Sequence, residues 1–220
     1  MKNILTLSLA LGTVCTVAAL VLGFAELKTK DLRATAKRQG ELAAVKKVLP
    51  EFDNDPLQDK TVLTVDDTEV AVMEARQNDS TIAYAVQALA RGYGGKVEVL
   101  VGVKPDGRIL HVVVLPGHQE TPGLGTKATN RAKTAVITDF FSDNGNDTEK
   151  AKPPRDLAPN KYLNQYNSYN LLDKLRYRVK KDGGELDAVS GATISSRAVA
   201  RAVSRAAAGF QKFKKRDELK

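Results

Sequence analysis

Cysteine is almost missing from this chain of 220 residues: Cys15 alone excludes an intramolecular disulfide, a multi-cysteine metal site and cysteine-ligated iron–sulfur clusters, and it leaves the redox compartment unmarked. Tryptophan is absent, and Phe and Tyr together make up only 5% of the chain. A formal charge of +8 would suit an anionic partner, but without stacking platforms or a groove-reading helix it does not point to nucleic acid. The charge is read as serving solubility and proximity to a membrane. There are two histidines. His111 sits among valines and is expected to be packed or at an edge, and His118 has no partner at metal-ligand spacing, which argues against a general base or a metal site. No Gly-x-Gly-x-x-Gly follows a strand, so an independent nicotinamide-dependent enzyme is not indicated. The carboxylates at Asp53, Asp55, Asp59, Asp66 and Asp67 lack calcium-loop spacing and read as solvated loop.

What is present begins with a long apolar run. Residues Ile4 to Ala25 carry no charge over 22 positions, and at helical rise they reach about 33 Å, enough to cross a hydrocarbon core of about 30 Å. A cleaved signal peptide, with Gly23-Phe24-Ala25 as the cleavage site, is the alternative, but the run is longer than the usual h-region, so a retained transmembrane helix over 1–25 is expected. Lys, Glu, Ala and Leu dominate from Glu26 to Leu49, with an apolar face at Leu42, Val45, Val48 and Leu49, until Pro50 stops it. That stretch predicts a stalk helix over 26–50. Lys28, Lys30, Arg33, Lys37 and Arg38 follow the span and only Lys2 precedes it, so charge alone would leave the globular part in the cytoplasm.

Residues 51–213 read as one α+β domain and 214–220 as a basic tail. Thr61–Val65 and Glu69–Met73 are short strands about an Asp66-Asp67 turn, and Thr81–Leu89 is a further apolar run. Lys96–Val103 and Arg108–Leu115 form an antiparallel hairpin about Lys104-Pro105-Asp106-Gly107. Thr126 to Phe141 is helix-compatible, and Ser142 to Asn160 is a polar, Pro-rich loop. Tyr162, Tyr166 and Tyr169 are spaced for packing on one helix face. Lys174–Val179 alternates as a strand that turns at Asp182-Gly183-Gly184 and pairs with Glu185–Val189. The last helix carries apolar residues at Ile194, Ala198, Val199, Ala202, Val203, Ala206, Phe210 and Phe213.

Asp187-Ala-Val-Ser190-Gly191-Ala192-Thr193-Ile194-Ser195-Ser196 stands at the start of that helix. Unpartnered N–H groups and the positive end of the helix dipole would hold a phosphate there, and Gly191 and Ala192 keep the approach bare. The four hydroxyls, at Ser190, Thr193, Ser195 and Ser196, fit three roles: bonding to a phosphate, covalent attachment to one, or capping. Two further stretches are loop-forming: Gly92-Tyr93-Gly94-Gly95, whose glycines permit unusual backbone or close approach of a flat ligand, and His118-Gln119-Glu120-Thr121-Pro122-Gly123-Leu124-Gly125.

Asp187-x-x-Ser190-Gly191-Ala192-Thr193-x-Ser195 resembles the flavinylation motif of the FMN-binding domain family at every fixed position, and the two glycine-bearing stretches resemble the rest of its signature. With the N-terminal span, the chain looks most like the G subunit of the Rnf-type ion-translocating electron transport complex, related to the C subunit of the sodium-translocating NADH:quinone reductase. The resemblance implies an α+β fold: a transmembrane helix and stalk, then one FMN-binding domain with an antiparallel sheet and flanking helices. It implies FMN joined covalently by a phosphodiester to Thr193, with Asp187, Ser190, Gly191, Ala192, Ile194 and Ser195 around it and Tyr93, Gly94, Glu120, Thr121, Gly123, Leu124 and Gly125 nearby. It further implies an electron relay rather than an independent enzyme, in a ferredoxin/NAD oxidoreductase complex. Its partners would be the other membrane subunits, the membrane itself and, during maturation, a flavin transferase. The family places the domain on the outer, periplasmic face of the inner membrane, against the flanking charges, and the family placement is adopted here. A membrane-tethered binding module without flavin, which would be colourless, and a free-flavin reductase, which would lose its flavin on denaturation, are the rival readings.

Overall fold

The computed structural model describes residues 2–131 and 160–219. It divides into two compact units, Met1–Glu41 and Leu42–Lys220. The first is the greater part of one long helix, α1 (Lys2–Val48), of which Thr6–Lys30 is long and apolar enough to cross a membrane. Its large apolar side chains, Leu20 and Leu22 among them, are exposed.

The second unit is built on a five-stranded antiparallel meander: β1 (Thr61–Val65), β2 (Thr68–Gln77), β3 (Ser80–Arg91), β4 (Lys96–Val103) and β5 (Ile109–Val114), in that spatial order. Local chemistry sets the register. Asp66-Asp67 and Asn78-Asp79 all have positive φ, the conformation of two-residue hairpin turns whose twist matches the strands, and they bring Val65 opposite Thr68 and Gln77 opposite Ser80. At the tip of the β4–β5 hairpin, Asp106 accepts from the Arg108 N–H and pairs with its guanidinium. Both faces of the sheet are covered. On one, Val70, Val72, Val97, Val99, Val101 and Val103 pack with the long helix α4 (Thr193–Asp217); on the other, Met73, Ala83, Ala85 and Leu100 meet Ala44, Val45, Val48 and Leu49 from the last turns of α1. Gly102 is required there, since a Cβ would lie 2.1 Å from the Val48 carbonyl oxygen. The alternation expected of a sheet between two apolar layers is thus met.

All the apolar positions that marked the last helix are buried except Ile194. The Phe210 and Phe213 rings stand edge-on to Tyr84, at 5.3 and 5.7 Å between centroids. Small residues on the underside, Ala198, Ala202, Ala206 and Gly209, bring the helix axis close to the sheet, and a Cβ on Gly209 would lie 2.5 Å from Val70 Cγ1.

Two sequence expectations are corrected. Lys174–Val179 and Glu185–Val189 do not form a strand pair: they share one isolated parallel bridge, Val179 to Leu186, about a 3-10 turn at Lys180–Asp182. The chain is extended and alternates in burial, with Tyr177 and Val179 in and Arg176 and Arg178 out, but it lies on α4 instead of pairing, and the Tyr177 N–H donates to the Ser204 hydroxyl. The helix from Thr126 is a single turn, α2 (Thr126–Thr129), ended by extended backbone at Asn130; its expected continuation, and the Pro-rich loop up to residue 159, lie outside the described residues. The expected tyrosine face is a short helix, α3 (Lys161–Asn164), followed by a 3-10 turn at Gln165–Ser168, with Tyr162 and Tyr166 buried.

Candidate functional site

Three segments distant in sequence meet at the N-terminal end of α4. Their meeting point is Glu120, a carboxylate only 5% exposed. One of its oxygens accepts from the backbone N–H groups of Tyr93 at 2.9 Å and Gly94 at 3.4 Å; the other accepts from the Ser195 hydroxyl in a short hydrogen bond. A buried carboxylate needs such donors, because desolvation would otherwise penalise it heavily.

The glycines make this convergence possible. A Cβ on Gly92 would lie 2.2 Å from Glu120 Oε1, one on Gly94 1.6 Å from the Gln119 carbonyl oxygen, and one on Gly125 2.8 Å from Glu120 Oε2. The sequence left the glycines of 92–95 open to unusual backbone or to close approach of a flat ligand. The structure assigns the close approach, at these three positions, to the protein's own Gln119–Glu120 segment. Gly123 and Gly191 differ: both have φ of +77°, Gly123 faces open space, and Gly191 is exposed with only Leu124 Cδ2 near where a Cβ would be.

The four hydroxyls of the motif divide cleanly. Ser195 is spent on Glu120, and Ser196, fully buried, donates to the Ala192 carbonyl and accepts from the Val189 N–H. Ser190 is exposed and Thr193 half-buried, and among the described residues neither hydroxyl takes part in a hydrogen bond. Capping does not account for them, because the N-cap position of α4 is Ala192, which has no side-chain bond to offer. Around this free pair lie exposed apolar side chains from all three segments: Tyr93 (69% exposed), Leu124 (48%) and Ile194 (47%). Thr121 serves the turn, its carbonyl accepting from Leu124 and Thr126 N–H groups.

Asp187 is not drawn into the convergence. It is exposed, forms a salt bridge with Lys180 at 2.7 Å, and has its backbone N–H and carbonyl both bound by the Gln165 side chain. Gln165 was missed by sequence reasoning, since nothing in composition marks an amide that reads a distant backbone. Tyr162 was assigned only to packing. Its hydroxyl donates to the Ser196 carbonyl at 2.6 Å and lies 2.8 Å from that of Tyr166, so it braces the first turn of α4. Burial raises the pKa of both phenols and keeps them neutral. The acidic loop has structural uses, with Asp53 accepting from the Asn78 N–H and Asp55 from the Leu57 N–H.

The arrangement fits a flavin mononucleotide by the chemistry of its donors. A bare, left-handed glycine and the unpartnered first-turn N–H groups of α4 suit a phosphate, and Tyr93, Leu124 and Ile194 offer apolar surface to a ring.

Comparison with known proteins agrees. The model of the FMN-binding domain matches residues 92–208, a span that holds all three converging segments. The chain is 35% identical over 205 residues to the G subunit of the ion-translocating oxidoreductase complex of Stutzerimonas stutzeri, covering 90% of this chain and 77% of that one. It is 33% identical over 210 residues to the protein of the same name from Vibrio vulnificus (92% and 85% covered) and 31% over 211 residues to that from Cereibacter sphaeroides (94% and 84%). A chain with this helix, this sheet and this convergence of motifs belongs to the FMN-binding domain family, as an RnfG-type subunit of an ion-translocating oxidoreductase complex.

Proposed function

We propose that this subunit carries FMN as a phosphodiester on the Thr193 hydroxyl and relays electrons between other subunits of the complex while tethered to the membrane by Thr6–Lys30. The observation that carries the assignment is the division of the hydroxyls: Ser195 and Ser196 are consumed by the fold, whereas Thr193 is half-buried, unpartnered and seated on the first turn of α4. Attachment from FAD balances simply: the Thr193 oxygen bonds to the phosphorus on the flavin side, AMP leaves, and the hydroxyl proton is lost, with a flavin transferase as catalyst. Ser190 and the backbone at Gly191 and Ala192 would hold the phosphate, and the Glu120–Gly125 loop with Tyr93 would flank the ring. When bound, flavin supplies stepwise one-electron transfer, and the protein sets its position and surroundings. Ser195 and Glu120 act behind the site, fixing the loop to α4. The periplasmic location of the domain follows the family and opposes the flanking charges.

The test is a denaturing gel of the full chain co-expressed with a flavin transferase, viewed under ultraviolet light, with intact mass. Thr193→Ala should abolish both the fluorescence and the FMN mass increment, and Thr193→Ser should keep part of each. Colourless parent protein, or an adduct that survives Thr193→Ala, overturns the reading.

A further inference from the structure

Beyond the flavin site, a groove of about 810 Å³ runs along α4, walled by the extended segment at 175–179 and the β1–β2 turn. Five arginines line it: Arg176, Arg178, Arg197, Arg201 and Arg205, against two carboxylates, Asp66 and Asp182. Two of the five are used by the fold. Arg197 makes a two-point bond to Asp182 at 2.6 and 2.7 Å, and Arg205 donates to the Leu89 carbonyl. Among the described residues the side chains of Arg176, Arg178 and Arg201 make no hydrogen bond or salt bridge, although the charges of Arg201 and Arg178 reach Asp182, and all three are exposed.

Even so, the row as a whole is unfavourable to the helix that carries it. Arg197, Arg201 and Arg205 are like charges four residues apart, which disfavours a helix, and Arg197 stands in the second turn, near the positive end of the dipole. An anion from outside would repay that cost.

We infer that the groove docks a short acidic segment of a partner protein, with carboxylates seated on Arg176, Arg178 and Arg201. Three features select a protein carboxylate over a lipid surface. The groove is concave, whereas a bilayer meets a flat or convex face. The Asp182 carboxylate already lies in the fork of Arg197, an internal example of the same contact. Arg176 and Arg178 are alternate, exposed residues of the extended wall, about 6.6 Å apart, the spacing of alternate side chains in an extended ligand. An acidic residue at every second position therefore matches this pair, with Arg201 on the α4 wall beside it. Thr193 is one step before Arg197 on the same row, so a docked partner lies beside the first turn of α4; that it would exchange electrons there rests on the flavin reading above, while the docking itself does not.

The experiment uses the full chain in zwitterionic detergent and a fluorescent peptide of alternating Glu and Ser, read by anisotropy. Replacing Arg176, Arg178 and Arg201 with Gln should weaken binding by at least about tenfold, and a control with Lys96, Lys104 and Lys215 replaced by Gln should change it by less than about threefold. A peptide of equal charge with its Glu residues in one block should bind more weakly. Equal losses in the two triple variants, or none in the groove variant, overturn the inference. So does a groove variant that loses binding to phosphatidylserine vesicles but keeps the peptide, which would assign the groove to lipid. Unfolding by urea verifies that each variant is folded, and in-gel flavin fluorescence of the same samples separates the two readings: peptide binding that depends on the groove in a protein lacking flavin would retain the docking and sink the relay.

Discussion

Replacing Glu120 tests whether the site is held together from behind by one carboxylate. In Glu120→Ala the Tyr93 N–H and the Ser195 hydroxyl lose well-formed partners in a buried setting, and the longer bond from Gly94 goes with them. Each buried donor left unpaired costs about 1–3 kcal/mol, so the two strong bonds alone give about 2–6 kcal/mol, before the weak one or any cavity is counted. Glu120→Gln keeps the volume. Its carbonyl oxygen can face the two N–H groups and its amide can donate to Ser195, whose hydroxyl turns to accept, so only the charge assistance is lost, about 1–2 kcal/mol. Ser195→Ala removes one bond to a carboxylate and should cost about 1.5–3 kcal/mol. Urea unfolding of the full chain in mild detergent, followed by tyrosine fluorescence, would rank the three, with flavin incorporation measured on the same samples. The order should be Ala worst and Gln mildest, with incorporation falling in the same order. A Glu120→Ala variant within about 0.5 kcal/mol of the parent, or a Gln variant as damaged as Ala, would refute the reasoning.

Gly94→Ala should be far more harmful than Gly123→Ala, because the first drives a Cβ onto the Gln119 carbonyl and forces the backbone to move, about 3 kcal/mol or more, while the second meets open space and costs only the left-handed conformation, about 1 kcal/mol; denaturation midpoints would decide. Half-buried His111 has its pKa lowered from 6.5, first by desolvation and then by the Arg131 charge. The unfolded chain then binds the proton more readily, so stability is fully present above pH 6.5 and falls as pH drops from there toward the lower folded pKa, a slope that His111→Gln should flatten in pH-resolved melts. A C-terminal alkaline phosphatase fusion should be active if the domain faces outward with the complex assembled; an inactive, stably expressed fusion would return the domain to the side that its flanking charges favour.

The parts of the fold written in local chemistry were legible before the structure: the Asp66-Asp67 turn, the Pro-Asp-Gly hairpin and the 3.6-residue period of α4 each specify themselves within a few residues. Asn78-Asp79, equally local, could have been read by the same rule. Lys174–Val179 misled because alternation reports which side chains are buried and not what the backbone bonds to; Tyr177 and Val179 do point inward, but onto a helix. In the site, the motif picked out Thr193, and the structure adds that Ser195 and Ser196 are already bonded elsewhere, leaving Ser190 and Thr193. The glycines were open to either reading from sequence, since a missing Cβ looks alike whether it makes room for a ligand or for Glu120. Gln165 and Tyr162 act across 22 and 34 residues, on Asp187 and Ser196, and no local pattern carries such contacts.

The close seat of α4 on the sheet has a mechanical meaning. With Val70 lodged against Gly209 and alanines along the same underside, sliding the helix by a single residue, about 1.5 Å, would drive side chains into one another. Thr193 is therefore a fixed post and not the end of a swinging arm. If Thr193 carries flavin as proposed, and its distance from neighbouring carriers varies during turnover, the whole domain must travel, because its foundation does not give.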